Sequence, residues 1–498
     1  MNKTILMMAA AAGVLALSGC GGGGSSSSDS TIIQIPTSSS SLLSSPTPVP
    51  SPTTYFTKLV SASLPNTEVS ISFEALNVAD INGDGKPDII MANGGLEGNT
   101  LIGSHVNKVP VTSKDNTTTV LLNDGTNRFK QLNTKSTAPT GWVNDFIFKK
   151  DPNGGNPYII GIDHGREVSI DPEQQHQYIT KLSIFQYRNG ELVDLTNVVP
   201  DNVKGFWHHA MQPGDLNGDG IEDFVVTRMN STGGETFSVF HGDRTSVFKK
   251  SNQFNDYALY NASKSIWSVG SVAMVKLGTS AELSFVALPY HTVPEYPEID
   301  ATNADIFYYN TGSFSGVSSF TVKTNEVPNK FGYNYVQVAD VNGDGLQDII
   351  GIMEACDGSS NQHIIAVMLQ NKSKSFDTSF IRSKGSILLG LPNLSDGIND
   401  TKFSLVDINN DGNLDIFYGM WFFGKPQFLS QSVYFGDGTG KFAQDLYQAD
   451  RLFKDITWEG TARTHAADVN NDGLSDLIVL QDSMGQITPI IFLNRGYK

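Results

Sequence analysis

Carboxylates recur in this chain at a spacing that suits a hard divalent cation. The nonapeptide D-x-N-[GN]-D-G-x-x-D begins at Asp80, Asp215, Asp340, Asp407 and Asp468. Its side-chain oxygens come from Asp80, Asn82, Asp84 and Asp88 in the first copy and from Asp215, Asn217, Asp219 and Asp223 in the second. The third and fourth copies supply Asp340, Asn342, Asp344 and Asp348, then Asp407, Asn409, Asp411 and Asp415. The fifth supplies Asp468, Asn470, Asp472 and Asp476. Position 7 varies freely (Lys86, Ile221, Leu346, Asn413, Leu474), as expected of a residue that offers only its backbone carbonyl. Position 6 is always Gly and position 4 is Gly or Asn, types that accept the positive φ needed to curl a chain around an ion. The pattern predicts five Ca²⁺ sites. A metal-free Asx-rich hairpin is the blander alternative, but no hairpin needs three carboxylates packed this closely.

The elements that position these loops are strands. An EF-hand would place a bidentate Glu at position 12, where Met91, Val226, Gly351, Tyr418 and Val479 stand instead. Short apolar runs of β type precede and follow each loop. The loop starts are 135, 125, 67 and 61 residues apart, so the first two gaps are double the last two. Degenerate copies fill them, starting at Lys150 and Lys276. Lys150, Pro152, Gly154 and Tyr158 occupy the ligand positions of one, and Lys276, Gly278, Ser280 and Ser284 those of the other. Neither is expected to bind metal. The lysine at position 1 of both reads either as an ammonium partly replacing the cation or as a solvated side chain. A second landmark is an apolar strand, an Asn/Asp-Gly turn and an aromatic, clearest around Asn123 to Phe129 and Phe435 to Phe442. It spells a hairpin later in each repeat.

With these motifs in view, the chain resembles the FG-GAP/VCBS repeat family, the β-propeller repeat also found in integrin α-subunits. The resemblance covers about residues 54–498 and departs from the pattern in the second and fourth repeats. It implies Ca²⁺ in a loop between the first two strands of a blade. Seven repeats predict an all-β, seven-bladed β-propeller of four-stranded blades. The last repeat lacks its Phe-initiated strand, and the segment from Tyr55 to Val60 looks like that strand. The N-terminal strand is therefore expected to complete the last blade and close the ring.

Residues 1–19 read as a lipoprotein signal peptide: a lysine, an apolar stretch too short to span a bilayer, then Leu-Ser-Gly before Cys20. That ending resembles the bacterial lipobox, which implies lipidation of Cys20 and a membrane anchor. Gly21 follows, with no Asp resembling an inner-membrane retention signal, so an outer-membrane lipoprotein facing the periplasm or cell surface is expected. Residues 20–53 are a Gly/Ser/Thr/Pro-rich linker and 54–498 the propeller. Cys356 is the one other cysteine, so no internal disulfide is expected, and it reads as a small half-buried residue. The net charge of −17 includes fifteen loop aspartates, and five Ca²⁺ would reduce it to about −7. No basic patch or run is present, which argues against nucleic acid as a partner; a monomer is expected.

Function is expected on the face opposite the loops. Six residues before each loop start stand Glu74, Asn144, His209, Gly270, Asn334, Thr401 and Ala462. One residue later come Ala75, Asp145, Ala210, Ser271, Tyr335, Lys402 and Arg463, with His208 and His465 close by. Connections after the second strands add His164, Arg166, Arg228, Tyr290, His291 and Trp421. The candidate ligand residues are Glu74, Asp145, His164, Arg166, His208, His209, Arg228, Tyr290, His291, Tyr335, Trp421, Arg463 and His465. Aromatics with Arg, His and carboxylates suit a glycan or another polar ligand, whereas a wet channel mouth is polar in any propeller. No G-x-S-x-G, HExxH or phosphate-binding loop occurs, and no catalytic residue is assigned. Two readings remain: a surface-anchored adhesion or recognition module for a glycan or envelope protein, and a polysaccharide lyase or hydrolase using a His/Arg/Tyr site.

Overall fold

The computed structural model describes residues 56–59, 73–93, 117–135, 143–163, 181–201, 208–228, 237–251, 269–289, 303–310, 313–322, 331–355, 363–382, 402–418, 427–428, 432–453, 456–458, 460–483 and 486–496. The chain divides into units 1–51 and 52–498, and every described residue lies in the second. The signal segment, Cys20, the linker and Cys356 lie outside the described residues. Among the described residues, no helix is long and apolar enough to cross a membrane.

Seven four-stranded antiparallel sheets make up the unit. Blade one runs Phe73–Ala79, Asp88–Asn93, Thr117–Asn123, Phe129–Lys135, from the inner strand outward. The next five blades repeat that order, with inner strands Val143–Lys149, His208–Gly214, Val269–Lys276, Phe331–Ala339 and Phe403–Val406. Blade seven consists of Gly460–Ala467, Asp476–Ser483, Gln486–Asn494 and Phe56–Lys58. Consecutive inner strands touch, and the seventh touches the first, so the sheets form a closed ring. The molecule is a seven-bladed β-propeller. Its closure is the expected one: Phe56 pairs with Asn494 and Lys58 with Phe492.

Strand alternation explains where the core lies. Both faces of each sheet are covered by neighbouring blades, so the second strands read as unbroken apolar runs. In blade three, Phe224 and Val226 face blade two while Val225 faces blade four. Seven clusters of buried side chains result, one at each blade junction. A fully buried Leu, Ile, Val or Phe in them contributes roughly 1.5–3 kcal/mol.

Blade six carries an insertion that the repeat pattern did not predict, the helix Leu446–Phe453. Asp445 Oδ1 accepts the Gln448 N–H at 3.1 Å as an N-cap. Ala449, Leu452 and Phe453 turn inward, and the Phe453 ring lies 4.9 Å from that of Phe56. The helix therefore packs on the strand that closes the ring. A two-stranded ribbon, Gln427–Phe428 with Thr457–Trp458, accompanies it.

Candidate functional site

Each nonapeptide joins the first strand of a blade to the second and folds around its own aspartates. In blade one, Asp80 Oδ1 accepts the N–H groups of Gly83 (2.8 Å) and Asp84 (3.0 Å), and its Oδ2 accepts that of Gly85 (2.8 Å). Asn82 Oδ1 accepts the Asp84 N–H and Asp84 Oδ1 the Lys86 N–H. Asp88 joins loop to sheet, accepting from Ile81 N and from Asn123 N on the third strand. The same clasp recurs in blade five on Asp340, Asn342, Asp344 and Asp348. Gly83, Gly85, Asn410 and Asn471 have φ of 76°, 79°, 60° and 57°, so positions 4 and 6 do adopt the left-handed region. The apolar position 2 is a feature that sequence reasoning passed over. Ile81, Leu216, Val341, Ile408 and Val469 are buried, each in the junction with the following blade.

The donor set is hard oxygen throughout. Asp88, Asp223, Asp348, Asp415 and Asp476 are 0 % exposed. Burial, then the aspartates at positions 5 and 1, push Asp88 and Asp348 up to about 6, with two backbone hydrogen bonds on each opposing the rise. The same causes take Asp415 and Asp476 to about 7. Among the described residues no ammonium or guanidinium pairs with these four. A cation held by the loop would remove the repulsion, so the residues fit calcium. Among the described residues no three His, Cys, Asp or Glu side chains are already gathered into a metal cage. The oxygens of positions 1 and 9 are turned onto backbone amides. The degenerate loops hold no such carboxylate set, and Lys150 and Lys276 are exposed, in keeping with the solvated reading of both.

The opposite end of the inner strands shows a repeated irregularity. Register shifts occur between Phe73 and Ala75, Val143 and Asp145, His208 and Met211, Val269 and Ser271, Tyr333 and Tyr335, and Gly460 and Thr464. Six blades thus bulge at one level, and the extra residues include Glu74, Asn144, His209, Gly270, Asn334 and Ala462. Bulges of this kind re-aim side chains at a rim.

Three candidate ligand residues meet within the ring. Asp145 of blade two and Lys402 of blade six form an ion pair, with Nζ 2.7 Å from Oδ2. Their side chains are only 15 % and 10 % exposed. These blades are not neighbours, so the pair crosses the axial channel. Lys402 Nζ also lies 5.3 Å from the centre of the Tyr335 ring of blade five. Gln337 donates to Tyr335 Oη (3.2 Å) and to the Phe403 carbonyl (2.8 Å), fixing the tyrosine against blade six. His465 of blade seven lies 3.1 Å from the Ala466 carbonyl through Nδ1. Burial lowers its pKa; the carbonyl and Asp145 oppose this, and Lys402 adds to it. Lys402 stood in the strand register but was not singled out as a ligand candidate, because its partner lies in a distant repeat.

The remaining candidates are placed only in part. Glu74, His208, His209, Arg228 and Arg463 lie in strands, with His208 paired opposite Arg228, but their side chains are outside the described set. His164, Arg166, Tyr290, His291 and Trp421 lie outside the described residues.

No family model matches the chain, and no curated protein matches it. Among solved structures it is similar to a Bacteroides uniformis protein that carries the name 6-phosphogluconolactonase. The two share 10 % identity over 78 % of this chain and 86 % of that one, with a TM-score of 0.41. A likeness this distant adds nothing to what the strand pairing shows.

Proposed function

We propose that this chain is a calcium-stabilised propeller of the FG-GAP/VCBS type that acts as a recognition module for a glycan or an envelope protein. The loops at 80–88, 215–223, 340–348, 407–415 and 468–476 would hold five Ca²⁺ ions, each neutralising a buried carboxylate and bracing one blade against the next. Lipidated Cys20 and the linker 20–53 would tether the ring to the outer membrane, with the bulged face free to meet its partner.

The observation that carries the recognition reading is the bulged rim, which sets an extra residue at one level in six blades of a rigid ring. The polar groups below it are already engaged: Asp145 with Lys402, Tyr335 with Gln337, His465 with a backbone carbonyl. Such pre-formed, partnered groups suit binding with little reorganisation.

The test is an array of acidic and neutral polysaccharides, with and without Ca²⁺, scored for retention and for new reducing or unsaturated ends. Retention without cleavage supports a glycan-binding module. New ends that vanish in His209→Ala or Arg463→Ala would replace it with a lyase or hydrolase. Silence on every glycan would direct the search to a protein partner.

A further inference from the structure

The five loops are alike in sequence but not in surroundings. The residue just before the loop is Ala79, Gly214, Ala339, Val406 or Ala467 in the five motif-bearing blades, but Lys149 in blade two. Lys149 is 0 % exposed, and its Nζ has no hydrogen-bond partner. The Tyr158 ring centre lies 6.0 Å away, and a Cβ built on Gly242 of blade three would meet Lys149 Cε at 3.1 Å. The ammonium is therefore lodged at the junction of blades two and three; burial lowers its pKa, and Glu222, Asp223, Asp151 and Asp219 oppose that fall. Three of these, Asp219, Glu222 and Asp223, belong to the third-blade loop, Asp219 and Asp223 at its ligand positions.

A second exception faces the same carboxylate. In every motif-bearing blade, position 9 accepts a backbone N–H from the third strand: Asn123, Gly242, Gln370, Gly436 and Asn494. The residue before that donor is Leu122, Leu369, Phe435 or Leu493 in four blades and His241 in blade three. His241 Nδ1 lies 3.2 Å from Asp223 Oδ2, off the axis of a hydrogen bond. Lys86 also approaches a loop aspartate, with Nζ 3.5 Å from Asp84 Oδ2, but it is one-third exposed. Solvent screens it and its flexible stem can swing away, whereas Lys149 has neither freedom.

We infer that the loop at 215–223 is the weakest of the five cation sites, because the buried Lys149 ammonium is lodged against Gly242, whose N–H clasps Asp223. This rests on the calcium reading given above. A dication entering this loop meets a buried charge not found at the other four among the described residues, and the affinity falls about tenfold or more. The same ammonium supplies the junction of blades two and three, where blade two has no metal loop of its own, with part of the compensation that calcium would give.

Equilibrium dialysis of the intact protein against radiocalcium tests this. Four equivalents are expected in a tight class and a fifth at roughly tenfold higher free calcium. Asp219→Asn removes only the weak equivalent, while Asp344→Asn removes one from the tight class. Lys149→Met moves the fifth into the tight class. Lys149→Ala, which copies the residue before the loop in three motif-bearing blades, does the same and guards against misfolding of the methionine variant. Five indistinguishable equivalents, or a tight equivalent lost in Asp219→Asn, would overturn the inference. So would a weak class untouched by both Lys149 variants. No bound calcium at all would instead overturn the calcium reading itself.

Discussion

Lys402 and Asp145 are held at 2.7 Å across the ring with little access to water, so neither charge is compensated by solvent once the other is gone. Lys402→Met or Asp145→Asn alone should cost roughly 3 kcal/mol, whereas the double variant Asp145→Leu with Lys402→Met should recover most of that loss. Denaturant titration of the four proteins gives the coupling energy directly. Near them, His465 supplies a pH dependence. Its folded pKa is lowered, chiefly by burial, so the folded state binds the proton less readily than the unfolded chain. The contribution is therefore full above the ordinary value of about 6.5 and is lost as pH falls below it. Asp145, which favours the imidazolium, and Lys402, which opposes it, are the charged groups acting on the ring. In saturating calcium, wild type should lose more stability than His465→Phe as pH falls from about 7.5 to about 5.5. Equal losses would show that the imidazole does not sense the interior.

At the scale of the element, the metal loop should fold locally whether or not an ion is present, because its aspartates already cap its own amides. Asp344 is exposed, and Asn at that position keeps an oxygen for the Leu346 N–H. Asp344→Asn should therefore change stability by no more than about 0.5 kcal/mol in chelator. In calcium at a hundred times the dissociation constant it should fall short of wild type by about 2.7 kcal/mol. Melting curves in both conditions separate a ligand from a turn residue. The blades were legible because loop chemistry and strand period repeat together, even where Tyr158 and Ser284 replaced the last aspartate. The helix Leu446–Phe453 was not, although Asp445 followed by Leu446, Ala449 and Leu452 carries a cap and a helical spacing. A single turn pair inside a repeat is masked by the assumption that repeats are uniform. The Asp145–Lys402 pair was illegible for another reason: both residues stood in the strand register, but nothing local says which blades face one another across a channel.

For the whole molecule, the apolar clusters sit between blades and not within them, so each blade depends on both neighbours and the ring on its closure. Phe56 is the anchor of that closure: it is 1 % exposed, packs with Phe453 and belongs to the cluster joining blades six and seven. Arg495 Nε donates to Thr57 Oγ1 at 2.9 Å and the Leu59 N–H to the Ile491 carbonyl at 2.8 Å, tying the strand at both ends. Phe56→Ala leaves those hydrogen bonds possible and empties the pocket between helix and blade. It should cost about 3–5 kcal/mol. Because the lost packing is shared by two blades, the effect should lower the whole melting transition in calcium as one cooperative event. A separate early transition, with the main one unmoved, would mean that blade seven frays alone and that the strand Phe56–Lys58 decorates the ring without closing it. The single shifted transition is expected because every other junction carries a cluster of the same kind, and an open ring would expose two sheet faces that are both lined with Leu, Ile, Val and Phe.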